Sequence, residues 1–333
     1  MANPEMPASS PFNTVRRRLL RSLGAGCLLP LIGSCGSGEA LTVAGHVWPG
    51  YEMMFLARRE GWLPKDQIRL LETASATESI SALNRGLAQA AALTLDEVLR
   101  VRADGMPLTV VLVFDVSAGA DVVLAGPRVQ TLADLKGKLI GAETSALGAL
   151  ILARLLDKAG LSSSDVEVFP VSPQGHLEAW RSGQLDALIS YEPTASHLIT
   201  LGARRLLDSR QFPDTIFDVL AIRPEAAHNH ADALKALIAA HLRGIRQLQQ
   251  NPQDVAYRIA GHLALSGAEA LQAFRGLHLP GLSQNQSLLA ANGRLRSIAQ
   301  ELSTIMLNAR LLTKADNLEN LSSDLYLPPQ EIP

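Results

Sequence analysis

From Leu41 onward, short apolar runs alternate with amphipathic stretches, and this alternation restricts the chain to an α/β fold. Apolar runs bounded by Gly, Pro or polar residues predict buried strands. Between the runs, apolar residues recur at spacings of three and four, as at Ile80, Leu83 and Leu87, which predicts helices. Such an alternation is typical of parallel-rich sheets flanked by helices.

Three segments carry most of this prediction. The Val-rich run Leu108–Phe114 predicts a central parallel strand, because parallel strands buried on both faces are continuously apolar. Ala231–Gln250 predicts a long amphipathic helix, and Leu288–Leu312 predicts the last helices of a helical C-terminal region. The polar, small-residue stretch Asp115–Asp121 predicts a crossover between two lobes, and Ile216–Ile222 a strand that returns.

The first 34 residues have the layout of an export signal. The basic residues Arg16–Arg18 and Arg21 precede an apolar run that ends in Ile32-Gly33-Ser34-Cys35. Leu19–Ile32 is too short and too interrupted to predict a permanent membrane span. The basic motif also fits a twin-arginine signal, although Val15 stands where Ser or Thr is usual, so that route and the general secretory route both stay open.

Ile32-Gly33-Ser34-Cys35 resembles a bacterial lipobox, which predicts cleavage before Cys35 and a lipid on its thiol; an ordinary signal with a chance cysteine is the alternative. The chain has two cysteines, and Cys27 would leave with the signal, so no thiol would remain for a disulfide or a nucleophile. Losing four Arg and one Glu would change the formal charge from −2 to −5. This charge gives no indication of nucleic-acid binding.

The candidate ligand site begins at Trp48-Pro49-Gly50-Tyr51, which follows the first predicted strand. Ligands of open α/β sheets bind beyond the carboxyl ends of strands, so Trp48 and Tyr51 are candidates to stack on a small molecule. The alternatives are a core cap for Trp48 and ordinary packing for Tyr51. His46 is a candidate cleft residue or a structural histidine, and it has no cysteine or second histidine at metal spacing.

Further candidates follow other predicted strands. Thr144 and Ser145 stand at a predicted helix N-terminus, where they would either cap the helix or bind a ligand. The neighbouring Glu143 disfavours a strongly anionic ligand group and would suit a neutral or cationic one. Tyr191 and Glu192 end a buried strand and are candidates for ligand contact, with an ion pair or a helix-terminal charge as the alternative for Glu192.

The acidic residues at the crossover and after an earlier strand would either cap a local structure or contact a ligand. Asp121 and Asp115 flank the predicted crossover, where capping and ligand contact are equally open. Asp96 follows the strand Ala90–Leu93 and is placed to favour a helix N-terminus. The sequence contains none of the catalytic motifs G-x-S-x-G, H-E-x-x-H, the P-loop or G-x-G-x-x-G, so we predict no enzyme, no metal and no cofactor.

Four landmarks together resemble one known family. They are Trp48-Pro49-Gly50-Tyr51 with Phe55-Leu56-Ala57, then Ser117–Asp121, Asp134-Leu135-Lys136-Gly137-Lys138 and Tyr191-Glu192-Pro193. Their order is similar to that in bacterial periplasmic solute-binding proteins of the taurine, sulfonate, nitrate and thiamine-precursor type. The resemblance extends over nearly the whole chain after Cys35, and it is not specific for the ligand.

This resemblance implies a two-lobe periplasmic binding protein (type II) that closes at its two crossovers around a small organic molecule of sulfonate, nitrate or pyrimidine type. The implied boundaries are a signal at 1–34, a tether at 35–40, lobe 1 at 41–116, lobe 2 at 117–216, and lobe 1 again with the C-terminal helices at 217–333. The implied partners are an ABC permease and ATPase and, through the lipid, the periplasmic side of a bacterial membrane. We expect a monomer.

Two other functions are compatible with the same resemblance. Some relatives with this fold are enzymes that act on small metabolites, although the export signal disfavours that reading. A ligand-sensing subunit that reports to a membrane kinase would have the same sequence features.

Overall fold

Two mixed sheets, each flanked by helices, form the protein. The computed structural model describes residues 39–144 and 147–330, so the signal segment, Cys27, Cys35 and Ser145 lie outside the described residues. The strands are β1 (Leu41–His46), β2 (Ile68–Thr73), β3 (Ala90–Thr94), β4 (Thr109–Ser117), β5 (Asp121–Ala125), β6 (Leu139–Ala142), β7 (Glu167–Pro170), β8 (Ala187–Tyr191), β9 (Arg204–Asp208), β10 (Phe217–Ile222) and β11 (Leu277–His278). The α-helices are α1 (Glu52–Arg59), α2 (Ala76–Asn84), α3 (Leu95–Ala103), α4 (Leu147–Ala159), α5 (His176–Arg181), α6 (Thr194–Thr200), α7 (Pro224–Asn229), α8 (Ala231–Gln250), α9 (Pro252–Ala260), α10 (Gly267–Ala273), α11 (Leu282–Leu289) and α12 (Arg294–Asn308).

The strand orders explain how the chain passes between the sheets. The six-stranded sheet has the order β11-β4-β10-β3-β1-β2, and the five-stranded sheet has the order β7-β6-β8-β5-β9. The chain leaves the first sheet at the end of β4 and enters the second at β5. It returns between β9 and β10. The predicted α/β class with two sheets is therefore confirmed.

The prediction that Leu108–Phe114 is a parallel strand is wrong. The strand β4 pairs antiparallel with β10 on one side and with β11 on the other. Parallel pairing is confined to β1 with β2 and β3, and to β6 with β7 and β8, among the described strands. Continuous apolar character reports burial on both faces of a strand, and β4 is buried on both faces whichever way its neighbours run.

The helical predictions after β10 are largely confirmed. The amphipathic segment Ala231–Gln250 is α8, which buries an apolar face against α1, and Pro252 starts α9. The segment Leu288–Leu312 contains the end of α11 and the whole of α12, and the chain turns between them at Gly293. A Cβ at Gly293 would lie 2.3 Å from the carbonyl oxygen of Leu288, so only glycine fits that turn. No helix within the described ranges is long and apolar enough to cross a membrane.

A buried ion pair joins the later helices to α1. Glu52, which is fully buried, accepts from His262 Nδ1 at 2.5 Å, and Nε2 of the same ring lies 3.3 Å from Glu72. The hydrogen bond to Glu52 raises the pKa of His262, and burial raises the pKa of Glu52. The ring of Phe55 packs against the imidazole at 4.8 Å.

Replacing this histidine is expected to destabilise the protein most in mildly acidic solution. Because the pKa of His262 is raised by folding, its stabilisation is complete below the unfolded-state value and is lost as the pH rises through the folded-state value. We expect His262→Gln to lower the free energy of unfolding by about 2 kcal/mol at pH 6 and by clearly less at pH 9. Urea unfolding at both pH values measures this, with the exposed His228→Gln as control. An equal loss at both values would contradict the charged pair.

Candidate functional site

Residues from both sheets, and from segments that flank them, converge on one small cavity. Its volume is about 20 Å³, roughly the space of one water molecule. The residues that line it are His46, Trp48, Ala76, Thr94, Glu97, Asp121, Glu143, Leu147, Tyr191 and Asp218. Five of them, His46, Trp48, Thr94, Glu143 and Tyr191, end a strand or directly follow one, which is where ligands of open α/β sheets bind. Asp121 and Asp218 lie at the beginnings of the antiparallel strands β5 and β10.

One wall of the cavity is aromatic. The rings of Trp48 and Tyr191 meet edge to face, with centroids 5.7 Å apart, although they come from different sheets. His46 lies beside Tyr51 at 5.4 Å and beside Tyr191 at 6.4 Å. Desolvation lowers the pKa of His46 to about 4, so its imidazole is neutral at physiological pH.

Trp48 is held in place by a hydrogen bond from its indole to a buried carboxylate. Its Nε1 donates to Asp115 Oδ2 at 2.9 Å. The residue at position 50 passes so close to this bond that a Cβ there would lie 1.7 Å from the same oxygen. Gly50 is therefore required by the contact, and the Pro49–Tyr51 turn sets the position of the indole.

Tyr51 lies behind the lining residues. Its ring is fully buried and packs 5.0 Å from Phe114, and its hydroxyl donates to Asp218. Since Asp218 itself lines the cavity, Tyr51 touches the site through that carboxyl group and offers no free face for stacking in this conformation.

The rest of the cavity wall is acidic. Asp218 on β10 stands directly opposite Asp115 on β4 in the sheet register. Burial is the largest cause of the raised pKa of Asp218, and the charge of Asp115 raises it further. The pKa of Asp115 is raised by burial first and then by the charge of Asp121, whereas its hydrogen bonds with Trp48 and Asp218 lower it. Burial likewise raises the pKa of Glu97 and Asp115 to about 8, and that of Asp121 to about 7. A group of carboxyls that resists ionisation therefore surrounds the cavity.

Asp121 is the least satisfied of these groups. It is 1% exposed, and neither of its carboxylate oxygens accepts a hydrogen bond from the described residues. It begins β5 and stands opposite Tyr191 of β8 in the register. A buried carboxyl group without a donor is costly unless it is protonated or meets a donor from elsewhere.

Side chains from the two sheets also bond across the cavity. Thr77 in α2 donates to Glu143 Oε1 at 2.7 Å, and the backbone N–H of Leu147 donates to Glu97 Oε1 at 3.3 Å. Gln174 donates to the carbonyl of Ala74. These hydrogen bonds join the segments that flank the two sheets.

The predicted site residues are distributed as follows. His46, Trp48, Tyr191 and Asp121 line the cavity, and Tyr51 lies behind it. Thr144 is exposed and is not a lining residue. Glu192 accepts from the backbone N–H of Ser196 at 3.2 Å, so it caps α6 and does not line the cavity.

Sequence reasoning missed Glu97 and Asp218. Glu97 follows Thr94 at the spacing of a capping box, and it accepts from the Thr94 N–H at 2.8 Å. This capping role explains a glutamate at position 97 without any contact to a ligand. Asp218 had a usable signal, because a lone carboxylate inside the apolar run Ile216–Ile222 is unusual for a buried strand. Within the described ranges, no group of three or more His, Cys, Asp or Glu residues could hold a metal ion.

The sequence of this chain is similar to one family model and to several known binding proteins. The family model described as "NMT1/THI5 like" matches residues 48–255. A candidate aliphatic sulfonates-binding protein of Escherichia coli (strain K12) is 28% identical over 50% of this chain and 54% of its own length. A candidate binding protein of Brucella abortus (strain 2308) is 32% identical over 36% of this chain and 39% of its own length. The matched part of the chain thus spans about half or less of these relatives.

Solved structures share the fold. The alkanesulfonate-binding protein SsuA from Xanthomonas axonopodis pv. citri, bound to MOPS, superposes with a TM-score of 0.70 at 19% identity, covering 87% of this chain and 98% of that one. The periplasmic nitrate-binding protein NrtA from Synechocystis PCC 6803 gives 0.63 at 12% identity, covering 86% and 84%. At these identities the likeness concerns the fold alone.

Proposed function

The chain belongs to the NMT1/THI5-like family, and from this membership we propose that it is an exported solute-binding protein that delivers a small organic molecule to an ABC importer. The observation that carries the proposal is the cavity itself, which is enclosed by residues of both sheets and lies where the chain crosses between them. A receptor that surrounds its ligand needs this arrangement.

The proposed mechanism is hinge closure. Lobe 1 would comprise residues 41–116 and 217–333, and lobe 2 residues 117–216. The two crossovers, Asp115–Asp121 and Gln211–Asp218, would then absorb the change in backbone angles. The closed cavity of about 20 Å³ supports the need for such a motion, because a solute larger than water enters only when the lobes separate. The contacts of Thr77 with Glu143 and of Leu147 with Glu97 would re-form around it.

The remaining features of the proposal concern the location of the protein in the bacterial cell envelope and its partners there. Cleavage before Cys35 and lipidation of its thiol would anchor the protein on the periplasmic side of a bacterial membrane. The permease and ATPase of an importer would be its partners, and a monomer suits a receptor that closes on its ligand. The protein would release its solute unchanged and would not act as an enzyme. Names of the relatives as binding proteins support this reading.

A solute screen tests the proposal. We expect a saturable rise in the thermal midpoint with one class in a panel of alkylsulfonates, taurine, nitrate, pyrimidines, thiamine and riboflavin, because binding to the folded state stabilises it. Small-angle scattering should record a smaller radius of gyration on binding. Trp48→Phe should weaken binding by about tenfold, since it removes the indole N–H that fixes the aromatic wall.

The matched control is Trp62→Phe, because Trp62 lies under Arg243 and away from the cavity lining. If a compound of the panel were recovered chemically changed, the protein would be an enzyme and the receptor function would be wrong. A folded, ligand-free protein that responds to no solute, in this panel or in the charge-matched panel below, would remove the proposal altogether.

A further inference from the structure

We propose that the solute bound in this cleft carries an organic ammonium or amidinium group, and that sulfonate, nitrate and carboxylate groups are rejected. The inference rests on the proposed function and adds a ligand class to it. The cavity is lined by acidic side chains, one of them has no hydrogen-bond partner for its carboxylate oxygens, and another already accepts from the start of a helix.

The charge of the lining is the first step. Of the described residues that line the cavity, four are carboxylic acids and none is Lys or Arg. The acids are Glu97, Asp121, Glu143 and Asp218. At a pH above the raised pKa values of these groups, an anion placed among them would meet repulsion from the ionised carboxylates, and the described lining offers no Lys or Arg to offset it.

The helix terminus is the second step. A helix N-terminus presents free N–H groups and a partial positive charge, and is the usual anion site in a fold of this kind. Here the backbone N–H of Leu147, the first residue of α4, donates to Glu97 Oε1 at 3.3 Å. A side chain of the protein itself thus already accepts from one of the N–H groups of the first described turn of α4. Glu143 lies in the segment just before this helix and adds a second negative group.

The unsatisfied acceptor is the third step. Asp121 lines the cavity, is 1% exposed, and neither carboxylate oxygen has a partner at hydrogen-bond geometry within the described part of the chain. The hydroxyl of nearby Ser117 lowers its pKa, but burial has the larger, opposite effect. An ammonium group supplies three N–H donors, and an amidinium supplies a planar pair that matches both oxygens of one carboxylate. An anionic ligand supplies none.

The aromatic wall is the fourth step. Trp48 and Tyr191 line the same cavity as Asp121, Tyr191 stands opposite Asp121 in the strand register, and His46 is neutral. Aromatic faces attract organic cations by their quadrupole, and the attraction grows when water is excluded. A site with carboxylates on one side and aromatic rings on the other matches a cation attached to an apolar body.

Titration gives the inference a signature. Burial raises the pKa of Asp121 to about 7 and that of Glu97 to about 8, so these groups become negative between mildly acidic and mildly basic solution. Four other titratable groups face the cavity. Burial also raises the pKa of Glu143 and of Asp218, and it raises the pKa of Tyr191 well above its ordinary value. Burial lowers the pKa of His46 to about 4. A cation should therefore bind more tightly as the pH rises from 5.5 to 8, and an anion less tightly.

The test uses probes that share one ring and differ in charge. Thermal midpoints and calorimetric affinities of the full-length protein, freed of bound solute by unfolding and refolding, are compared for benzylamine, benzamidine, benzyl alcohol, benzoate and phenylmethanesulfonate. We expect saturable binding of an amine or amidine at least about tenfold tighter than that of the alcohol, strengthening from pH 5.5 to 8. Asp121→Asn should remove most of this preference, and the exposed Asp66→Asn should not.

Each outcome has a defined meaning. Binding of the sulfonate, the benzoate or nitrate in preference to the amines overturns the inference and leaves the receptor function intact. Equal binding of the alcohol and the amines also overturns it. No binding in the ring series or in the panel of the proposed function removes both. If Asp121→Asn unfolds, Glu143→Gln is the second variant. An unchanged amine preference in the variant that folds would overturn the role of the acidic lining.

Discussion

Gly50→Ala is expected to lower the free energy of unfolding by about 3 kcal/mol. The added methyl group would lie 1.7 Å from Asp115 Oδ2 and 2.8 Å from Trp48 Nε1, the two atoms that share a buried hydrogen bond. Neither side chain has room to withdraw, because both are nearly fully buried. The methyl would therefore break the bond and leave a carboxyl group without its donor, which is costlier than the added volume.

Urea unfolding of three variants measures this effect. Gly261→Ala is the matched control, because a Cβ there meets nothing within 4 Å, and we expect it to change stability by less than about 0.5 kcal/mol. The double variant Gly50→Ala, Asp115→Ala should recover part of the loss, since it removes the atom that the methyl meets. A Gly50→Ala protein as stable as the parent would show that the turn moves aside easily and does not fix the indole.

Asp115→Asn is expected to act in the opposite direction and to stabilise the ligand-free protein by about 2 kcal/mol at pH 8. Burial raises the pKa of Asp115 from its ordinary value to about 8. The folded state therefore keeps a proton that the unfolded state releases, and stability falls as the pH rises from about 4 to about 8. Asparagine does not titrate, retains an oxygen for the Trp48 indole, and presents an amide N–H₂ group that can face Asp218.

Denaturant unfolding at pH 4.5 and pH 8 tests the sign. The gain should be close to zero at the lower pH, and the exposed Asp104→Asn should show no gain at either. Asp218→Asn combined with Asp115→Asn should gain less than the sum of the two, because one substitution already removes the repulsion between the pair. A uniform loss at both pH values would mean that the carboxyl group contributes a hydrogen bond that asparagine does not replace.

Periodicity and turn residues predicted most of the elements, because those signals are local. The helix Ala231–Gln250 and the helix start at Pro252 follow from spacing and from the fixed φ of proline. The orientation of β4 could not be predicted from its own residues. It depends on β10, a strand far along the chain, and an all-apolar run is compatible with either direction.

The candidate site was predictable to the extent that its residues follow strands directly. His46, Trp48 and Tyr191 were named because they end or follow a strand, Asp121 because it flanks the predicted crossover, and all four line the cavity. Glu97 could not be recognised as a lining residue, because its capping role at the start of α3 already accounts for it. Thr144 follows a strand as the rule requires, and yet it is exposed. Whether a side chain at a strand end turns into the cleft is decided by packing between elements that are distant in sequence.

The position of β10 between β3 and β4 determines when the larger sheet can form on a growing chain. Until Phe217–Ile222 has been synthesised, β3 and β4 each lack a neighbour, and β4 gains its second neighbour only with Leu277–His278. While the smaller sheet is being made, β3 therefore has one open edge beside β1, and β4 has neither of its strand neighbours. Because open edges of apolar strands invite aggregation and distant strand pairs form slowly, we expect the larger sheet to be completed late in folding.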